Sequence, residues 1–175
     1  MISIGLVNPK GAINVGAVLR AIGCYAADDV YYSGDRYDYA ARHSTDTKNI
    51  LLSKNIHKVD TFLDIKTRLP EGTKMVCVEL VVGAEPLPEY VHPQDAIYIF
   101  GPEDGSLPKD LVQAADDVVY IPTIGCMNLA ATVNVVLYDR LAKLGSKHLE
   151  LQGDELIRQS RDNKNRLKVK SNGKG

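Results

Sequence analysis

The stretch that decides the fold is Val118–Gly145, "VVYIPTIGCMNLAATVNVVLYDRLAKLG". Its opening "VVYIP" is a short run of β-branched and aromatic residues, the composition of a buried strand. Pro122 and Gly125 interrupt it. Beyond them Leu129, Val133, Val136, Leu137, Leu141 and Leu144 fall on one side of a helix. At the join stands "CMN", in which only Asn128 is plainly polar. Asn is among the best helix N-caps, and a cap fixed at a strand end also points an amide toward whatever lies beyond that strand.

The same unit recurs upstream. "ISIGLV" reads as a buried strand ended by "NPKG", and "NVGAVLRAIGCYA" spaces Val15, Val18, Leu19, Ile22 and Tyr25 as an amphipathic helix does. "VYYSG" is a short strand. "IHKVDTF" and "LDIKTRL" read as strand then helix, ended by "PEG". "KMVCVELV" and "AIYIF" are strong strands, followed by a helix from about Pro108 to Ala115. Strands alternating with helices through right-handed crossovers predict an α/β fold, a mainly parallel sheet flanked by helices. No internal repeat and no early linker breaks the series. The expected organisation is one domain, residues 1–150, followed by a basic tail, residues 151–175.

Composition agrees with a single domain that has a real core: 175 residues, 45% hydrophobic and 25% charged. The net charge of −1 hides an asymmetry. From Arg158 onward seven Lys or Arg face one acid, Asp162, so this end carries +6 and the remainder −7. Such an end is either a solubilising tail or a polyanion-binding arm. Cys24, Cys77 and Cys126 are too few and too scattered for a disulfide framework, and the four histidines form no HxxxH or HExxH pattern. No run of about 18 apolar residues offers a membrane span, and "MISIGLVNPKG" lacks the features of a signal peptide. The expectation is a cytoplasmic, reduced protein with no metal and no membrane partner.

In parallel α/β sheets ligands bind beyond the carboxyl ends of the strands. Three such ends are rich in Gly, Pro and polar residues: "VNPKGAINVG", "FGPEDGSLP" and "PTIGCMN". Glycines there let a ligand lie against backbone groups. None has the phosphate-loop spacing GxxxxGK[ST], and GxGxxG is missing after the first strand, which disfavours an ordinary dinucleotide enzyme.

Together the three loops resemble the motifs of the SPOUT superfamily, specifically the SpoU/TrmH-type RNA ribose 2′-O-methyltransferases. Motif one, NxGAxxR, matches Asn14, Gly16, Ala17 and Arg20. Motif two, FGPE, matches Phe100, Gly101, Pro102 and Glu103. Motif three matches Ile121, Pro122, Cys126, Met127, Asn128 and later Tyr138 and Asp139. The order is right and the match spans almost the whole chain. The chain departs from the family in Cys126 for the usual Ser, Ser106 for Gly, and Asp139 for Glu; the flanking RNA-binding domain of the family is expected to be absent.

The resemblance implies a C-terminal deep trefoil knot, S-adenosyl-L-methionine (AdoMet) bound in it, and a homodimer. It implies methyl transfer to an RNA ribose, with tRNA ahead of rRNA because the chain is minimal. The alternative is a non-catalytic RNA-binding SPOUT protein. Catalytic residues by resemblance are Arg20, Asn14, Glu103 and Asn128. Read from its neighbours alone, Arg20 would be a snorkelling or surface-paired arginine; as the motif arginine it fixes an RNA phosphate and steadies the developing alkoxide. Asn14 reads as the N-cap of its helix and, by resemblance, a support for Arg20. Glu103 reads as a solvated loop acid or, by resemblance, a carboxylate bracing the site. Cofactor contacts are expected mainly from backbone groups at Glu79, Leu80, Val81, Gly101, Ile121, Ile124, Cys126 and Met127. Cys126 itself reads as a small packing residue. Tyr31, Tyr32, Tyr37 and Tyr39, interleaved with Arg36, Arg42, His43 and Lys48, suit either RNA stacking or a strand edge.

Overall fold

The strand β1 (Ile2–Val7) is buried along nearly its whole length. Only a strand covered on both faces has that pattern, and it fixes a three-layer architecture. The structure is a computed structural model that describes residues 1–43, 55–145 and 151–160. Beside β1 run β2 (Asp29–Ser33), β3 (Ile56–Lys58), β4 (Lys74–Val78), β5 (Glu85–Pro86), β6 (Ala96–Phe100) and β7 (Asp117–Tyr120). Their order is β3-β2-β1-β6-β4-β7-β5, and every pairing is parallel.

The period of two along each strand divides the core. Ala96, Tyr98 and Phe100 of β6 join Ile2, Ile4 and Leu6 of β1 on one face. There they meet α1 (Ala12–Cys24) and α4 (Leu129–Leu144), which bury Val15, Val18, Ile22, Val133, Val136 and Leu137. Ile97 and Ile99 face the other way, against Phe62, Ile65, Leu69, Leu107 and Leu111. On that face Gly5 is required for packing: a Cβ there would stand 2.8 Å from the Phe62 ring.

β4 lies between β6 and β7, both of which follow it in the chain. The polypeptide thus passes to one side of β4 and returns on the other. This strand order is consistent with the expected trefoil-knot topology, one of the rare exceptions to unknotted folds.

Several elements differ from the sequence expectation. "LDIKTRL" forms only a 3-10 turn, Ile65–Arg68, because Leu69 is extended before Pro70. The strand expected over "KMVCVELV" stops at Val78, where Val81 N–H turns back to Glu79 O at 3.2 Å. α2 (Arg36–Arg42) and the two-residue β5 were not expected. α3 (Lys109–Ala114) falls within its expected span.

A buried polar clasp fastens α4 to the segment between β5 and β6. Arg140 donates to Pro93 O, to Gln94 O at 2.6 Å and to Tyr98 Oη at 3.3 Å. Lys143 Nζ donates to Leu87 O at 2.5 Å and Tyr90 O at 3.0 Å. His92 sits between Tyr98 Oη (2.6 Å) and Asp139 Oδ2 (2.8 Å). Burial of His92 lowers its pKa from the ordinary value, outweighing the attraction of Asp139. Asp139, a motif-three position by resemblance, is therefore a strut that ties α4, to which it belongs, to His92.

Met1–Gly145 form one unit of the chain and Ser146–Gly175 a second. In the second, α5 (Gly153–Ser160) carries Asp154 and Glu155 in its first turn and Arg158 in its last, which suits the helix dipole. The tail cations from Arg161 onward lie outside the described residues.

Candidate functional site

Placing β1, β6, β4 and β7 side by side brings the three motif loops to one end of the sheet. A cleft opens there beyond β4, β6 and β7. Val78, Phe100 and Leu129 form its apolar wall; Leu80, Gly101, Ile121, Cys126 and Met127 line it from the loops; Glu79 and Glu103 contribute carboxylates. Val81, fully exposed Ile124, Arg20, Asn14 and Asn128 are not lining residues. Conversely, Tyr120, Thr123 and Thr132 line the cleft without being expected to. They flank the anticipated residues in the strand ends and first helical turns, so their signal was position alone.

Glu103 joins motif two to motif one. Its Oε2 accepts Lys10 N–H at 2.8 Å, and its Oε1 accepts Gly11 N–H at 2.8 Å and Asn14 Nδ2 at 3.0 Å. Burial alone would raise this carboxyl, but the bonds from Lys10, Asn14 and Gly11 hold it below the usual range. Glu103 is thus a brace, not a solvated acid. The expected N-cap role of Asn14 gives way with it. α1 begins at Ala12, its N-cap Gly11 makes no side-chain cap bond, and Asn14 lies inside the helix. A carboxylate on another loop receives the backbone N–H groups that precede the helix.

Asn128 does cap α4: its Oδ1 accepts Ala131 N–H at 2.8 Å. Among the described residues its Nδ2 has no protein acceptor, so that end of the amide remains available to a ligand. Glu79 braces a second pair of loops, accepting Leu80 N–H on Oε1 (3.0 Å) and Leu107 N–H on Oε2 (2.8 Å). Arg20 is exposed on α1, while Gly16, one turn earlier, is buried against the body.

Asp104, next to Glu103, is held by side chains. Arg36 reaches both its oxygens, Nη1 to Oδ2 at 2.8 Å and Nη2 to Oδ1 at 3.0 Å, and Lys10 Nζ approaches to 3.4 Å. The Arg36 hydrogen bonds lower its pKa to about 2.

The tyrosine-rich segment divides. Tyr31, Tyr32 and Tyr37 are core residues; Tyr32 stacks on Tyr37 at 3.8 Å and donates to Asp38 at 2.9 Å. Only Tyr39 is exposed (68%), its ring 4.2 Å from His43. Stacking of RNA on four tyrosines is therefore excluded for three of them. Lys48 lies outside the described residues. Among the described residues no group of three His, Cys, Asp or Glu could hold a metal ion.

The SpoU rRNA Methylase family matches residues 1–138. The chain belongs to that family. Among solved structures, an rRNA methyltransferase from Sinorhizobium meliloti superposes with a TM-score of 0.69 at 19% identity, over 83% of this chain and 57% of that one. A further structure of that enzyme is of its AdoMet-bound form. A structure described as giving insights into 2-OH methylation of C/U34 on tRNA superposes at 0.64 with 21% identity, over 82% of this chain and 96% of that one. The A. aeolicus TrmH/SpoU tRNA modifying enzyme superposes at 0.66 with 19% identity, over 90% and 84%. The chain thus spans little more than half of the Sinorhizobium enzyme. No curated protein matches it.

Proposed function

We propose that this protein is an AdoMet-dependent RNA methyltransferase acting on a ribose 2′-OH. One observation carries the reading: the loops of motifs two and three line one cleft, and Glu103 of motif two ties motif one to it by bonding the turn before α1 and Asn14 within that helix. The residues present fit the cofactor. Val78, Phe100 and Leu129 offer apolar surface to an adenine ring, and backbone groups of Leu80, Gly101, Ile121, Cys126 and Met127 offer bonds to its polar edges. When bound, AdoMet supplies an electrophilic methyl group on a sulfonium.

The chain's own residues then have to hold the RNA and manage one proton. Arg20 cannot act as a base, because a guanidinium stays protonated in proteins. It holds a phosphate and stabilises the 2′-alkoxide as it forms, while the proton passes to phosphate or water. Glu103 does not act as a base either; three N–H donors occupy it, and it positions Asn14. No covalent enzyme intermediate is needed, so Cys126 serves as lining.

We place tRNA ahead of rRNA as substrate. In support, the chain matches 96% of the protein studied for tRNA C/U34 methylation but 57% of the Sinorhizobium rRNA enzyme. We also take the active form to be a homodimer through α1 and α4, which pack together and carry the exposed apolar side chains Ile13 (84%) and Tyr138 (62%).

Methyl transfer from labelled AdoMet to bulk tRNA and rRNA tests the reading. Arg20→Ala should lower turnover about a hundred- to a thousandfold, the loss typical of one charge stabiliser in such a site, with AdoMet affinity little changed. RNA carrying 2′-deoxyribose at the modified position should bind and accept no methyl group. Methylation of that RNA would put the target on a base; a protein that methylates neither RNA would be the non-catalytic alternative.

A further inference from the structure

The rim of the cleft is acidic, although the proposed substrate is a polyanion. Glu79, Glu103 and Asp104 all stand in the loops after β4 and β6. Two of these carboxylates are occupied by backbone: Glu79 takes the N–H groups of Leu80 and Leu107, and Glu103 those of Lys10 and Gly11. Asp104 differs. Among the described residues its hydrogen-bonding and ionic partners are side chains, Arg36 and Lys10. It sits between Glu103 and Gly105, both of which line the cleft, and it remains 44% exposed.

Arg36 is built to meet it. Asn8 O accepts from Arg36 Nε at 3.1 Å and Nη2 at 2.6 Å, which fixes the guanidinium plane. Asn8 is itself held in a left-handed conformation (φ 45°), its Oδ1 so near Gly34 (φ +80°) that a Cβ there would come within 2.4 Å. The fork therefore stands ready, with one N–H nitrogen for each Asp104 oxygen.

We propose that the Arg36–Asp104 pair masks the rim electrostatically: it offsets the charge of Asp104, the rim carboxylate that takes no backbone N–H bond among the described residues, so that an RNA phosphate can approach the cleft. The inference rests on the RNA reading above and adds to it a residue that governs substrate affinity. Asp104 tethers its loop, and the guanidinium removes the repulsion that the tether would otherwise exert on the substrate. At the separations of a surface rim, an unmasked carboxylate should weaken phosphate binding roughly three- to tenfold at low salt, and less as salt screens it.

Binding of bulk tRNA to the full chain, measured at low and physiological salt, tests this, with calorimetric AdoMet binding as the check that each variant is folded. Arg36→Met should lose about three- to tenfold in RNA affinity, more at low salt than at high. Adding Asp104→Asn to it should restore affinity to near that of the unchanged protein, since one positive and one negative charge have then been removed together and the net charge of the rim is as before. Arg36→Lys keeps the charge without the planar fork and should bind RNA almost normally. Three results would overturn the mask: no loss in Arg36→Met, no recovery in the double variant, or an equal loss in Arg36→Lys, which would make the pair a geometric tether alone. If the unchanged protein bound no RNA, the RNA reading would fall and the mask with it, a result distinct from a failure among the variants.

Discussion

The rim of the cleft and the clasp beneath α4 both join distant loops with polar side chains, but in different dielectric settings. At the rim, Glu103, Asp104, Arg36 and Lys10 are partly exposed, and each pair is screened by water. In the clasp, His92, Tyr98 and Arg140 are buried, where a polar group without a partner is costly. The difference separates roles that the motif alone runs together. Glu103 and Asp139 are both acids at family positions, yet one borders the cleft and the other is a strut for α4.

The sharpest break in that contrast should come from Arg140→Ala. It strands Pro93 O and Gln94 O and leaves Tyr98 Oη with His92 alone, and an unfolding free energy from urea titration should fall by about 3–5 kcal/mol, at about 1–3 kcal/mol for each buried acceptor left unsatisfied. A loss below about 1 kcal/mol would mean that the clasp is wetter than its burial implies. A paired comparison comes next. Asp139→Asn should cost stability, about 1–3 kcal/mol, with turnover little changed. Glu103→Gln should do the reverse: it presents an NH2 group where an N–H now donates, so kcat/KM should drop about tenfold while stability falls by less than about 1 kcal/mol. Equal effects of the two on activity would erase the distinction.

The smallest effect is one of acidity. The folded-state pKa of His92 is lowered from its ordinary 6.5, so the unfolded chain takes up that proton first. Its contribution is complete above about pH 6.5 and is lost as pH falls through the lower folded value. Glu103 and Asp104 are also lowered, from 4.5 and 3.8, so the rim's contribution stays intact until pH falls below those values and is lost toward about 2 for Asp104. Between about pH 6.5 and 4.5 the clasp alone should weaken. His92→Gln should flatten the stability profile in that window, and an unchanged slope would remove His92 as its source.

Much of this architecture is readable along the chain because it is local. The apolar runs of β1, β6 and β7, the helical spacing of α1 and α4, and the Asn128 cap depend on neighbours within a turn or a pleat. What escapes is long-range. Glu103 meets Asn14 across 89 positions, and so displaces the cap that Asn14's own neighbours suggest. His92 meets Asp139 across 47. Tyr31, Tyr32 and Tyr37 look like a stacking surface until the sheet buries them. β5 has two residues, too few for any period, and the polar, tyrosine-rich α2 has no continuous apolar face to announce it.

The pairing of β1 with β6 has a consequence for how the protein is made. Ile2 lies opposite Ala96, so 94 positions separate partners at the centre of the sheet. At ribosomal speeds of about 5–20 residues per second, β1 emerges roughly 5–20 s before β6 exists to cover its inner edge. β2 can take the other edge early, but through that interval the nascent chain carries an apolar strand with one row of backbone groups unpaired. Newly made chains should therefore depend on holding chaperones more than the stability of the finished sheet would suggest, with the dependence ending once β6 has been synthesised and docked.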